Sequence, residues 1–308
     1  MSPLKVLFGG NSSHPLWKDN VFRAKFALRS LFYPVSTFRY IKKITSLDIY
    51  PQVISIQGII LAKHHRVYLK KGSSVAERVK YITDHYSLIN SMSNISLKNI
   101  LISQSVVSIA QFSGKQGEEF TLYCKPGNFD REGEITIIMD YQGHTVSLIT
   151  FSIVNINNKR TLFIGGLQGP NNEGASDLIR EATKSASGLF PKRIMMEVIS
   201  VFSGLLSAES VCAVSDDMHV FKSSRYHRKK GKLLSSYNDF WLSLGGTLKD
   251  DNTFELPVII ERKKIEDIAS KKRSEYKRRY QLLDDMKDSI LTTASGEAVT
   301  VSHQAVTV

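Results

Sequence analysis

The densest chemistry-bearing pattern in the chain is "LFIGGLQGPNNEGASDLIREATK", residues 162–184. An apolar strand-like run enters Gly165 and Gly166, Gln168 and Gly169 follow, and a helix-like segment begins soon after. A strand that ends in glycines and restarts as a helix brings backbone N–H groups up to an anion. Gly165, Gly166, Gln168 and Gly169 are therefore candidate ligand-binding residues, with a tight structural turn as the competing reading. Glu132 and Glu134, in "REGEITI" (131–137), are paired carboxylates that suit acid–base work or a metal. On a strand they would share one face, but Arg131 beside them favours a structural ion pair. His64 and His65 would point to opposite faces of an extended chain and could not jointly hold a metal there. Cys124 and Cys212 have no ligand-like spacing and read as two buried thiols in a reducing interior. No Walker A, HExxH, GxSxG or zinc-knuckle pattern occurs, and no metal site is expected.

These residues need elements to position them. From Trp17 to about Asn94 the periodicity is helical. "DNVFRAKFALRSLF" places Val21, Phe22, Phe26, Leu28 and Leu31 near one face, behind Asp19 or Asn20 as N-cap. "SSVAERVKYITDHYSLINSM" begins on Ser74 with Glu77 three residues later, a capping-box spacing, and carries the stripe Val75, Val79, Ile82, Tyr86 and Ile89. From about Gln116 the period becomes two, and "EFTLYCK", "GEITIIMDY", "HTVSLITFSIV" and "RTLFIGG" predict four consecutive antiparallel strands with hairpin-type connections. Two helical segments, the short run "SVCAVS", the helix "SYNDFWLSLGG" and a last strand "TFELPVII" complete this part. Residues 262–290 predict a helix with Ile265, Ile268, Lys272, Tyr276, Tyr280, Leu283 and Ile290 at 3–4 spacing, packed on the domain. Asp267–Lys271 and Glu275–Arg279 are i,i+4 pairs on it.

The fold class expected is α/β (α+β), an antiparallel-dominated central sheet with flanking helices. Residues 1–100 form a helical basic region, 101–260 the core, 261–290 a basic amphipathic helix and 291–308 a disordered tail, with 1–290 as one family domain.

The chain has 308 residues and a net charge of +12. Residues 1–80 hold fourteen Lys/Arg against three acids, and residues 218–232 hold six against none. Such faces attract anionic membranes, nucleic acid or an acidic protein. No nucleic-acid recognition pattern accompanies the charge. The loop "HVFKSSRYHRKKGK" offers Lys222, Arg225, Arg228, Lys229 and Lys230 to the phosphates of a lipid. No run approaches eighteen apolar residues, and the start lacks a signal-peptide core, so a cytoplasmic protein, peripheral at the inner membrane, is expected.

The element order resembles the acyl-CoA N-acyltransferase (GNAT) fold, and "DFWLSLGG" (239–246) is similar to a segment common in those enzymes. That resemblance implies an acyl-CoA or acyl carrier protein donor, with pantetheine along the strand and pyrophosphate at the following helix. Where those enzymes carry Gln/Arg-x-x-Gly-x-Gly/Ala, this chain has Asn171 at the fourth position and Glu173 at the sixth. The Glu173 carboxylate favours the helix dipole but repels a pyrophosphate. In an acyltransferase, His219 or Asp216 would be the general base and Tyr237 the acid; otherwise His219 is an ordinary surface residue of a solvated loop. "REGEITI", "IGGLQG", "EATKSASGLFPK", "YNDFW" and "KKRSEYKRRYQLLD" resemble, in order, landmarks of the bacterial VirK/YbjX family. This resemblance implies a role in envelope or lipopolysaccharide homeostasis, virulence and resistance to cationic antimicrobial peptides. A non-catalytic protein that binds anionic lipid or an acidic partner is the alternative.

Overall fold

The computed structural model describes residues 14–223 and 236–296. Helix α1 (Asn20–Phe32) starts on Asp19, whose carboxylate accepts from Val21 N–H, and α2 (Pro34–Thr45) opens on the proline that ends α1. A short α3 (Tyr50–Ile56) and a 3₁₀ turn (Ile60–His65) lead to α4 (Val75–Asn90). Ser74 and Glu77 close a reciprocal capping box at its start, which satisfies two otherwise orphaned N–H groups. The α4 stripe is buried as expected at Val75, Ile82, Tyr86 and Ile89. In α1 only Phe26 is fully buried; Val21, Leu28 and Leu31, expected on the packed face, are exposed.

After α5 (Ile95–Leu101) come five antiparallel strands in sequence order: β1 (Val107–Ser113), β2 (Glu119–Pro126), β3 (Ile135–Tyr141), β4 (His144–Ile156) and β5 (Lys159–Gln168). Gln142–Gly143 joins β3 to β4 and Asn157–Asn158 joins β4 to β5, with positive φ at all four residues. That is the two-residue turn whose twist matches a hairpin. Helices α6 (Ala175–Ser185) and α7 (Pro191–Leu205) cross to β6 (Ser210–Val214), which pairs parallel to β5. Helix α8 (Tyr237–Ser243), β7 (Thr247–Leu248) and β8 (Thr253–Leu256) complete an eight-stranded sheet, ordered β1-β2-β3-β4-β5-β6-β8-β7. Every pairing but β5–β6 is antiparallel.

Phe151 meets Phe202 of α7 and Phe163, the register partner of Ser152, meets Tyr81 of α4. Neighbouring residues of a strand face opposite ways, so α4 and α7 cover opposite faces of the sheet. Helix α9 runs Ser270–Ser295 and packs against β1 and α5, with Ser289 Oγ accepting from Gln111 N–H. Its buried stripe is Leu282, Leu283, Met286, Ile290 and Ala294. This shifts the expected stripe toward the C-terminus: Ile265 and Asp267 lie in a 3₁₀ turn before the helix, while Glu275 pairs with Arg279 on it. Residues 291–295 are helical rather than tail.

Candidate functional site

Gly165 and Gly166 lie inside β5 rather than in a loop after it. Across β4, Thr150 pairs with Gly166 and Phe151 with Ile164, so Gly165 is the extra residue of a bulge. A Cβ on Gly165 would stand 1.9 Å from the Glu132 carbonyl oxygen, and one on Gly166 1.9 Å from Glu132 Oε2. The room left by their missing side chains is taken by Glu132 of this same chain. Gly169 lies just past the strand, with no atom closer than 3.8 Å to a Cβ built there.

Past Ile164 and Ala213 the parallel strands part, and α8 fills the gap. The Tyr237 hydroxyl accepts from Leu167 N–H at 3.2 Å, and Trp241 Nε1–H donates to the Val214 carbonyl at 2.8 Å. Both backbone groups face the opened edge and would otherwise lack a partner in a dry interior. Asp216 fixes α8 in this place: its carboxylate accepts from Ser236 Oγ at 2.9 Å and from Tyr237 N–H at 2.7 Å. Asp216 is thus an anchor for the helix start, a different role from the general base considered above.

Glu132 and Glu134 precede β3 instead of sitting on it, so strand alternation does not govern them. Gln168 Nε2 donates to Glu132 Oε1 at 3.0 Å and to Oε2 at 2.9 Å. His219 Nε2 lies 3.4 Å from Glu132 Oε1, close but outside hydrogen-bond geometry. His219 Nδ1 accepts from Phe221 N–H at 3.4 Å, which assigns the ring proton of neutral His219 to Nε2, facing the carboxylate. Tyr237 meets the His219 ring edge-on, with centroids 5.5 Å apart. Burial, then the nearby Glu132 carboxylate, push the Tyr237 hydroxyl pKa upward. His219 is 1% exposed, Glu132 2% and Tyr237 3%. The solvated loop expected around His219 is therefore a sealed polar cluster at that residue. Lys222 is exposed on the turn that follows, and Arg225, Arg228, Lys229 and Lys230 lie outside the described residues.

Glu134 belongs to a second cluster. Lys63 Nζ stands 2.7 Å from its Oε1, the Tyr86 hydroxyl donates to Oε2 at 2.7 Å, and Gln57 Nε2 donates to the same oxygen. Lys63 also donates to Gln57 Oε1 at 2.7 Å. Burial acts to raise the Glu134 pKa, but Lys63, His85 and the hydrogen bond from Tyr86 hold it below the usual carboxylate range. His64 and His65 lie in the 3₁₀ turn, not in an extended segment. Their rings are tilted to one another with centroids 3.9 Å apart, near the Thr37 hydroxyl. Among the described residues no group of three or more His, Cys, Asp or Glu is placed to hold a metal. Cys124 is buried, its thiol pushed up to about 12 by burial, and Cys212 is half-buried.

Beside Gly169, on the side of the sheet covered by α6 and α7, is a cavity of about 510 Å³. Val146, Ile179, Leu189, Phe190, Phe240 and Leu244 form apolar walls, with Lys192 and Arg193 from the first turn of α7. Burial lowers the pKa of the Lys192 ammonium. Helix α8 thus supplies Tyr237 to the Glu132 cluster and Phe240 to the cavity wall. Sequence patterns missed Glu132 as the centre, because its partners come from residues 168 and 219. Two glycines within an apolar β run were the available signal, since interior glycine marks a close approach.

The chain is similar over 282 residues to the Escherichia coli (strain K12) protein YbjX, at 36% identity, covering 91% of this chain and 86% of that one. An uncharacterized protein of Haemophilus influenzae matches at 30% identity over 71% of this chain and 72% of its own length. A 69-residue segment is 33% identical to a Mannheimia haemolytica protein called membrane protein LapB, over 22% of this chain and 29% of that one. The model of the family described as protein of unknown function DUF535 matches residues 15–292. The chain belongs to this family, the VirK/YbjX family that its sequence landmarks resemble.

Proposed function

We propose that this protein is a bacterial cell-envelope factor that binds an acyl chain carrying an anionic head, at the cytoplasmic face of the inner membrane. The observation that carries the reading is the cavity of about 510 Å³ between α6, α7 and α8, apolar in its walls and bordered by Lys192 and Arg193. Ligand sites are concave, mostly apolar and marked by a few placed polar groups, with volumes of about 300–1,000 Å³. A carrier-linked acyl group, from acyl-CoA or acyl carrier protein, has the matching chemistry. The basic N-terminal quarter supports attachment to an anionic surface or an acidic carrier. Among the described residues no helix is long and apolar enough to cross a membrane, which is compatible with a peripheral position. Roles in lipopolysaccharide homeostasis, virulence and antimicrobial-peptide resistance follow from the family resemblance alone.

Acyl transfer is the second reading, supported by the Glu132–His219 pair beside Tyr237 and by a mostly antiparallel sheet with one parallel junction, an arrangement in keeping with the acyltransferase resemblance of the sequence. In that reading Tyr237 would protonate the departing thiolate, and the Nδ1 lone pair of His219 would have to leave Phe221 N–H to take the proton of the attacking amine or hydroxyl. The low exposure of all three side chains puts binding ahead of transfer.

Protein purified from its host, denatured and analysed by mass spectrometry, should release a fatty-acyl species. The purified chain should bind dansyl-labelled undecanoate, and Ile179→Trp, which fills the half-buried mouth, should weaken that binding about tenfold or more without unfolding the domain. Absence of any acyl species together with no probe binding would overturn the reading.

A further inference from the structure

Helices α1 and α2 meet at a corner where Leu28, Leu31, Phe32, Tyr33, Val35 and Phe38 are all exposed, Leu31 by 78% and Phe32 by 71%. Pro34, Val35 and Phe38 line one shallow apolar groove there with Arg39 and Lys42. Residues 20–47 contain six Lys/Arg and no Asp or Glu. Lys25, Arg39, Lys42 and Lys43 are exposed beside the apolar corner. Elsewhere the same helices are well anchored: Phe26, Thr37, Tyr40, Ile41 and Ile44 are buried, and the Tyr40 hydroxyl donates to the Ile60 carbonyl at 2.6 Å.

A contiguous apolar patch on a soluble surface marks an interaction site. Its chemistry selects the partner. Helices that lie in a bilayer interface present large apolar side chains flanked by Lys and Arg. Anionic lipid attracts each basic residue near its surface by about 1 kcal/mol, so charge and apolar depth act in the same direction here.

We propose that the α1–α2 corner inserts Leu28, Leu31, Phe32, Val35 and Phe38 into the interface of an anionic bilayer, with Lys25, Arg39, Lys42 and Lys43 on the headgroups. This deepens the peripheral-membrane part of the proposed function and names the surface responsible. Buried apolar area adds a contribution that salt does not screen, so attachment keeps a salt-resistant component that charge alone would lack.

The test uses the full chain with vesicles of phosphatidylethanolamine and phosphatidylglycerol, against vesicles of phosphatidylcholine alone. Phe32→Trp supplies a reporter, since Trp17 and Trp241 are already buried. Its emission should be solvent-like without vesicles and shift to the blue on the anionic ones. Cosedimentation should persist in part at about 1 M salt, where the Debye length is about 3 Å. Leu31→Ser with Phe32→Ser should weaken partitioning at least about tenfold at an unchanged melting temperature. Lys42→Glu with Lys43→Glu should remove mainly the salt-sensitive part. Blue emission in free protein means the corner is already covered, by residues 1–13 or by a second copy, and overturns the proposal. Capture of an acidic carrier protein by the corner, with no vesicle binding, overturns it equally. Vesicle binding indifferent to the serine pair sinks the corner yet leaves a peripheral protein. No vesicle binding at any salt removes both, while acyl binding in the cavity is measured separately and can stand alone.

Discussion

Glu132 and Glu134 are separated by one glycine and equally buried, yet they live in opposite circumstances. Glu134 is the more crowded: a phenol and an amide donate to its Oε2, and the Lys63 ammonium stands 2.7 Å from its Oε1 as an ion pair outside hydrogen-bond geometry. Glu132 receives one amide nitrogen, from Gln168, and faces an imidazole that is close but misaligned. The first carboxylate ties α4 and the 3₁₀ turn Ile60–His65 to the sheet. The second sits where β5 and β6 part, beside Tyr237, and takes its one side-chain donor from Gln168. What separates them is the number of donors around each, since sequence position and burial are nearly the same.

The largest effect should come from breaking the more crowded cluster. Glu134→Leu leaves Lys63 buried without its carboxylate, and removing one partner of a buried pair typically costs about 3–5 kcal/mol. Urea unfolding checks this, and Lys63→Met added to Glu134→Leu should restore much of the loss. A single variant that costs under about 1 kcal/mol would put the two carboxylates on the same footing.

A pH titration sharpens the same contrast. His85, behind Glu134, accepts from Ile153 N–H through Nδ1; burial first, opposed by Glu134 and aided by Lys63, brings its pKa to about 4. Unfolded histidine protonates near pH 6.5, the folded one near 4, so between them the unfolded chain binds more protons. Stability therefore falls as pH drops from about 6.5 to 4, by roughly 3 kcal/mol for this residue. His65, held at about 4 by burial and Arg29, adds to the fall. Below that window Glu134, whose folded pKa is depressed, loses its contribution as pH passes through that value. Urea midpoints across pH 4–7 should show the slope, and His85→Asn should flatten part of it. A flat wild-type profile would contradict the buried neutral imidazoles.

Gly166→Ala puts a methyl where Glu132 Oε2 now stands and should cost about 1–3 kcal/mol, the usual penalty of overpacking. In a Glu132→Ala background the same change should cost far less. Equal cost in both backgrounds would mean that the glycine serves β5 itself and not its close contact with Glu132.

The β3–β4–β5 hairpins were legible because Gln142–Gly143 and Asn157–Asn158 are two-residue turns between alternating runs. Strand β1 was not: "VSIAQFS" mixes polar and apolar residues, and its cover comes from α9, far away in sequence. The glycines suggested a loop because local pattern cannot reveal that Glu132 approaches from another segment. The α1 periodicity was visible, but its exposed apolar side at Leu28 and Leu31 was not, since a helix meant for an interface and one meant for a core look alike in sequence. His219 and Tyr237 were singled out through the fold resemblance; their convergence on Glu132 appears only in three dimensions.

The smallest structural effect belongs to the most decisive experiment. Glu132→Gln keeps the shape and an acceptor for Gln168, so it should change unfolding free energy by no more than about 1 kcal/mol. It removes the charge that His219 faces. If the peptide-resistance role that the family resemblance implies is this chain's, the acyl-transfer reading predicts that a deletion strain carrying either Glu132→Gln or Tyr237→Phe stays as sensitive to a cationic antimicrobial peptide as the deletion, while both proteins melt within a few degrees of wild type. Full complementation by both variants would contradict a functional role for Glu132 and leave it as structural as Glu134.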